Sequence, residues 1–237
     1  KEQFPDRPVR MTEYISGPVF TSNNVVAAND VLVGNISYQI TGLAPFTDQR
    51  FATIGNDWGL GNRVLSTEQK ARYREVVIAI GDKLRADGWR GLFGADMILD
   101  EKTGRLYLIE INARQPASAT FESQLQLLER KNLLTVFEAH LAALLDLDLS
   151  GYSLIEITDG AQIVQRVTNE MSGLSAGQAG VECQMSDVKN MGFTIIPYAN
   201  TAPGYDLLRI QSTESIMADD NRFNALGEKI KNILQDA

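Results

Sequence analysis

The feature that most constrains this chain is a pair of strand-forming runs, Gly94 to Asp100 and Arg105 to Asn112, separated by the turn-rich segment Glu101-Lys102-Thr103-Gly104. Runs this close together pair most simply as an antiparallel β-hairpin. Within the second run Glu110, Asn112 and Arg114 stand at i, i+2 and i+4. A carboxylate, an amide and a guanidinium therefore share one face of the strand, and Ile109, Ile111 and Ala113 take the other. Burying the apolar set leaves the polar set facing a common space. Asp96 joins it if the register is right: pairing residue 100 with 106 pairs 96 with 110, and a slip of one residue separates the two acids. Two acidic oxygens and an amide oxygen form a hard-oxygen set suited to Mg2+, which prefers carboxylate, phosphate and water to imidazole or thiolate.

The rest of the chain reads as α+β. From Met11 to Ile54 short β-rich runs (MTEYI, VVAA, VLVG, ISYQI, RFATI) alternate with turn residues such as Ser16-Gly17-Pro18 and Asn29-Asp30, the pattern of an antiparallel meander. GNDWGLGN, residues 55–62, reads as a loop in which Asn56-Asp57-Trp58 either lines a substrate cleft or closes a turn, the turn being preferred. Ser66 with Gln69 is a capping-box signature, and Tyr73, Val76, Val77, Ile80 and Leu84 then recur at helical spacing until Gly88. One long helix is expected from Thr120 to Leu145, burying Leu125, Leu128, Leu133, Phe137, Leu141 and Leu144. Beyond it, residues 162–167, 194–197 and 207–211 look like strands. A closing helix from Asn221 to Leu234 turns Phe223, Leu226, Ile230 and Ile233 inward. The expected organisation is an antiparallel-sheet unit with packed helices over residues 1–150 and a small α+β unit over 151–237. KEQFPDRPVR at the start reads as a surface entry, and SGLSAGQAG, residues 172–180, as a mobile loop.

Composition narrows the function classes. With 22 Lys and Arg against 30 Asp and Glu, the formal charge of −8 argues against a nonspecific nucleic-acid binder. The single cysteine, Cys183, can form neither an intrachain disulfide nor a thiolate metal site, and reads as a small core residue in a reducing compartment. No basic-then-apolar leader opens the chain, and charge interrupts its most apolar stretches, as at Phe137-Glu138-Ala139-His140 and Leu145-Asp146-Leu147-Asp148. No membrane association and a cytoplasmic location are the expectation. His140 reads as a helix-surface residue. Arg166 and Arg209 could reach a substrate from the C-terminal unit, but arginines on strands more often make surface ion pairs, and that reading is taken for both.

The segment GLFGADMILDEKTGRLYLIEINAR, residues 91–114, resembles the metal motif of the ATP-grasp ligases, in which an acid on one strand is followed about a dozen residues later by Glu-x-Asn, often Glu-x-Asn-x-Arg. By that resemblance Asp96 binds one Mg2+ (Mn2+ being the alternative ion), Glu110 bridges two, and Asn112 binds the second. Arg114 holds phosphate or the acyl-phosphate intermediate. The run TEYISGPVFT, residues 12–21, resembles the family's hinge segment, which implies backbone contacts from Glu13 and Ile15 to the adenine of ATP. Many members carry a ribose-binding Glu just after the hinge Gly-Pro, where this chain has Val19, so ribose contact must differ. The resemblance covers residues 9–145, and the small C-terminal unit matches ligases similar to carbamoyl-phosphate synthetase and biotin carboxylase. It implies an ADP-forming ligase that joins a small-molecule carboxylate to a nucleophile. The family's phosphate-binding Lys and Gly-rich loop lie upstream of the hinge, and only a dozen residues precede Glu13. The N-terminal half of the grasp is thus expected from a longer chain or a partner subunit. The rival reading is a noncatalytic nucleotide-binding or assembly module.

Overall fold

Alternation along β1 (Val19–Val26) sets the plan of the sheet. Phe20 and Val26 turn to one face, into a core shared with Tyr38, Ile40, Phe93, Ala95 and Met97, whereas Thr21, Asn23 and Val25 turn to the other. The computed structural model describes residues 8, 11–129, 133–171, 186 and 188–235. Cys183, the 172–180 loop and nearly all of the first ten residues lie outside them.

Around β1 stand β2 (Val31–Leu32), β3 (Ile36–Thr41), β4 (Thr53–Asp57), β5 (Gly91–Leu99), β6 (Leu106–Asn112), β7 (Ala161–Arg166), β8 (Thr194–Pro197) and β9 (Asp206–Ser212). They form one sheet in the order β6-β5-β1-β3-β4-β7-β9-β8, with β2 also on β1 and every strand pair antiparallel. The sheet crosses residue 150 without a break. β4 pairs with β7 from Gly55 opposite Ile163 to Asp57 opposite Ala161, so main-chain hydrogen bonds join the two expected units. A short hairpin, β10 (Met217–Asp219) with β11 (Arg222–Phe223), stands apart.

Helix α2 (Thr67–Ala86) covers the apolar face. Its capping box is Ser66 with Gln69, Tyr73 and Val77 are buried, and the Tyr73 hydroxyl donates to the Ala95 carbonyl at 2.6 Å. On the other face α3 (Ala119–Leu128) and α4 (Val136–Leu144) cover only one end, where Val25 and Leu92 meet Ala119, Val136, Ala139 and Ala143. Among the described residues no helix is long and apolar enough to cross a membrane.

Several sequence expectations change here. Met11 to Ile15 form no strand. The chain joins the sheet only from Ser16 on, where the Glu101 amide donates to the Ser16 carbonyl and the Leu99 amide to Pro18. Gly17 permits that approach, since a Cβ there would fall 1.9 Å from the Leu99 carbonyl oxygen. GNDWGLGN is the end of β4 and the helix α1 (Trp58–Val64), because Asp57 caps the helix through the Leu60 amide. The expected long helix is two helices. Thr135 and Glu138 form a second capping box, and the Gln126 and Ser123 side chains take the Val136 and Phe137 amides. The buried stripe moves with the break: Leu128 is 70% exposed and Leu141 48%, while Phe121, Leu125, Val136 and Ala139 are buried. His140 is half-buried, its Nδ1 accepting the Leu92 amide at 3.1 Å, and desolvation lowers its pKa. The closing helix α5 (Ala225–Gln235) starts after Asn224, whose side chain caps the Leu226 and Gly227 amides, and this leaves Phe223 in β11. Ile109, Ile111 and Ala113 are exposed rather than buried, because β6 is the sheet edge and α2 lies only along the near side of Ile111.

Asp57 ties the first strands to the C-terminal segment. Fully buried, its carboxylate caps α1 and also accepts from the Ser215 hydroxyl and the Ile216 and Met217 amides at 2.8–2.9 Å. Asp57→Asn would turn an amide donor toward these donors, and a loss of about 3 kcal/mol is expected. Urea unfolding of the two proteins measures it; an unchanged midpoint would show that the junction carries no such weight.

Candidate functional site

The hairpin brings the two acids together by an irregularity. Near the turn Leu99 pairs with Leu106 and Met97 with Leu108, one residue away from the register expected at that end; continued unchanged, it would set Asp96 opposite Ile109. A β-bulge between Asp96 and Met97 takes up the extra residue. Asp96 then pairs with Glu110, Ala95 with Ile111 and Gly94 with Asn112. Cross-strand partners share a face, so Asp96, Glu110 and Asn112 stand together. Gly94 makes room for the last of these: a Cβ there would lie 3.3 Å from the Asn112 Cβ and 3.2 Å from the Pro116 ring. The Asn112 amide donates to Asp96 at 3.4 Å, and exposed Arg114 donates to the Asn112 Oδ1 at 3.1 Å.

The same face carries polar side chains across the sheet. Glu110, Asp96, Thr21 and Ser37 are successive cross-strand partners, and one step along β3 so are Gln39, Asn56, Gln162 and Gln211. The rows are joined: Gln162 donates to Asn56 and Asn56 to Ser37, both at 3.2 Å. Thr21 donates to one Asp96 oxygen at 2.6 Å and Gln39 reaches the other at 3.4 Å. Burial raises the Asp96 pKa and the charge of Glu110 adds to the rise, while Thr21, Gln39 and Arg114 oppose it. A desolvated carboxyl beside a second carboxylate is an environment that a bound cation would relieve. Among the described residues no three His, Cys, Asp or Glu side chains gather around a metal position. The donors here are two carboxylates and an amide.

Glu13 and Ile15 lie before β1, Glu13 exposed and Ile15 half-buried, and no hydrogen bond among the described residues links them to Asp96, Glu110, Asn112 or Arg114. Sequence reasoning left out Thr21, Gln39 and Gln162, and preferred a turn for Asn56. For Gln39 the signal was a polar residue at every second place, as in ISYQIT, and for Gln162 a polar residue between the apolar Ala161 and Ile163 of AQIVQR. It also left out Glu122, a fully buried acid on α3 that accepts from the Asn23 side chain and from the amide and side chain of Asn35. Burial pushes its pKa up to about 7 against those hydrogen bonds. Of the two arginines, Arg166 lies 3.8 Å from Asp206 and donates to the carbonyls of Gly204 and Thr53, as a structural ion pair would. Arg209 has no acidic partner among the described residues.

No family model matches the sequence. A curated relative, the butirosin acyl-carrier-protein L-glutamate ligase of Niallia circulans, is 44% identical over 50 residues, 21% of this chain and 12% of that protein. Among solved structures, carboxyaminoimidazole ribonucleotide synthase from Aspergillus clavatus, complexed with ATP, superposes with a TM-score of 0.64 at 19% identity, over 99% of this chain and 54% of that one. The L-amino acid ligase of Bacillus licheniformis gives 0.64 at 19%, over 94% of this chain and 53% of that one. The fold is that of the ATP-grasp ligases. The chain spans about half the length of these structural relatives.

Glu122 generates a pH prediction. Its folded pKa lies above the ordinary 4.5, so the folded state holds the proton more tightly between pH 4.5 and about 7. This contribution to stability is present below 4.5 and is lost as pH rises through that window, by up to roughly 3 kcal/mol. Urea unfolding at several pH values should show that slope in the native protein and its loss in Glu122→Gln; the same slope in both would place its origin elsewhere.

Proposed function

We propose that this chain is the metal-bearing part of an ATP-dependent ligase that activates a small-molecule carboxylate for attack by a nucleophile. The observation that carries the reading is the shared face of Asp96, Glu110, Asn112 and Arg114 at the bulged end of β5 and β6. The donor set fits a hard divalent cation: two carboxylates, one of them desolvated and crowded by the other, and an amide oxygen. Mg2+ or Mn2+ held there would neutralise charge on the triphosphate. Asp96 and Glu110 would hold such an ion through their carboxylate charge, and Asn112 through its Oδ1. Arg114, exposed beside Asn112, meets the transferring phosphoryl group. Glu13 and Ile15 offer backbone groups to the adenine.

The reaction passes the γ-phosphoryl group to a carboxylate oxygen, releasing ADP and leaving an acyl phosphate. A nucleophile such as an amine then attacks the acyl carbon, and phosphate departs with the bonding electrons. No side-chain nucleophile takes part; this chain holds and orients. The names of the relatives, an L-glutamate ligase and an L-amino acid ligase, favour an amino acid among the substrates. The Lys-bearing half of the grasp comes from the rest of the protein or from a partner. The 237-residue chain alone is therefore expected to bind ATP weakly and not turn it over. A reaction in a cytoplasmic setting agrees with the lone cysteine.

The test is Glu110→Gln in the whole protein. The change keeps size and removes one of the two carboxylate charges that would hold the ion, so ADP formation driven by a panel of L-amino acids should fall by at least about 100-fold while ATP affinity changes by less than about threefold. Glu101→Gln, in the exposed hairpin turn, should behave as wild type. Near-normal turnover by Glu110→Gln at ordinary Mg2+ would return the hairpin to a structural role. Absence of ADP formation by the unaltered whole protein with every substrate would favour the noncatalytic module.

A further inference from the structure

Five strands away from β5, the polar face carries an arginine with most of its hydrogen-bonding capacity unused. Arg209 on β9 is the cross-strand partner of Val164, beside the pair formed by Gln162 and Gln211, so its side chain stands on the face that carries Asp96 and Glu110. Its guanidinium lies 5.9 Å over the Tyr198 ring. One terminal nitrogen, Nη1, donates to the carbonyl of Ala117 at 3.5 Å, which brings Arg209 to the loop that follows Arg114. Nε is shielded from water and has no hydrogen-bond partner. Nη2 makes no hydrogen bond among the described residues either, so the free edge is the Nε and Nη2 pair, the side-on fork that fits two oxygens of one anion.

Beside it is a second unmet group. Gln162 is 3% exposed and gives its amide to Asn56, while its Oε1 is buried without a partner. An unpaired buried polar atom costs stability, and two on neighbouring side chains of one face need a common reason. Arg166, one strand away, also has a buried Nε without a hydrogen bond, but an acid stands 3.8 Å from it and two carbonyls take its terminal nitrogens; Arg209 has no acid beside it among the described residues.

We propose that Arg209 anchors an anionic group of the acceptor substrate, a carboxylate or a phosphate received on its Nε and Nη2 edge, with the Gln162 Oε1 accepting a hydrogen bond from the same molecule. This deepens the ligase reading and rests on it for the word substrate. The hairpin handles the phosphoryl group at one end of the face; Arg209 and Gln162 set the orientation of the molecule that receives it, through a charge separate from Arg114.

The 15N-labelled 237-residue chain tests it by NMR. The Arg209 Nε–H signal is identified by its loss in Arg209→Lys. Sodium acetate and sodium phosphate are titrated separately at constant ionic strength, with sodium chloride as the reference. The signal is expected to shift saturably with at least one of them while that of Arg166 stays still, and Gln162→Leu should weaken a partner that carries both groups, tested with glycine, by at least threefold. Saturation by acetate alone makes the anchor a carboxylate site, and by phosphate alone a phosphate site. A signal that neither anion moves beyond the chloride reference overturns the proposal. Mn2+ added to the same sample tests the metal reading independently, through broadening of the Asp96 and Glu110 signals. Broadening without an anion shift sinks only the Arg209 anchor, and an anion shift without broadening sinks only the metal reading.

Discussion

The structure depends on the pairing of β5 with β1. Eight consecutive residue pairs, from Val19 opposite Ile98 to Val26 opposite Gly91, hold the two strands in one register. With period-two alternation, that register decides what each face of the sheet can be. Phe20, Phe93, Ala95 and Met97 fall on one side and become core under α2; Thr21 and Asp96 fall on the other and become neighbours in a polar row. A slip of one residue would bury Asp96 beneath α2 and expose the core.

Given that lock, the hairpin had one remaining degree of freedom, the register of β6. Its turn end sets one pairing and its far end another, and the bulge reconciles them. Bulges collect beside functional positions because one extra residue re-aims everything beyond it. Here it turns Glu110 toward Asp96, at the cost of an edge strand whose apolar side chains remain exposed. The irregularity sets which residues of β6 meet Asp96, and the exposure follows from the strand's place at the sheet edge.

The two buried acids outside the hairpin show different uses of the same chemistry. Asp57 receives four donors and fastens strand, helix and C-terminal segment, so its charge is spent on architecture. Glu122 fastens Asn23 and Asn35 at the covered end of the polar face, with a pKa near 7. Arg209 and Gln162 are the opposite case, polar atoms withdrawn from water without protein partners. Satisfied groups hold the sheet; Arg209, with neither an acid nor a partner for its Nε, is the residue on this face with binding capacity to spare.

Much of this was legible in the residues. The hairpin, the α2 helix with its capping box, most of the meander and the grouping of Glu110, Asn112 and Arg114 follow from alternation, turn chemistry and spacing, all set by neighbours within a few positions. What failed involved partners outside the local element, near in sequence or far. Asp57 looks like a turn residue until Ser215, Ile216 and Met217 arrive to pair with it, and the Thr120–Leu145 stretch looks like one helix until Gln126 and Ser123 cap a second. The match of Asp96 with Glu110 was right although the register assumed at the turn was not, because a bulge adds a residue without leaving a trace in the alternation. Sequence by itself determined which side chains share a face of each local element. Only the tertiary structure decided which faces meet, which arginine finds an acid and which does not, because those outcomes depend on contacts between different elements of the chain.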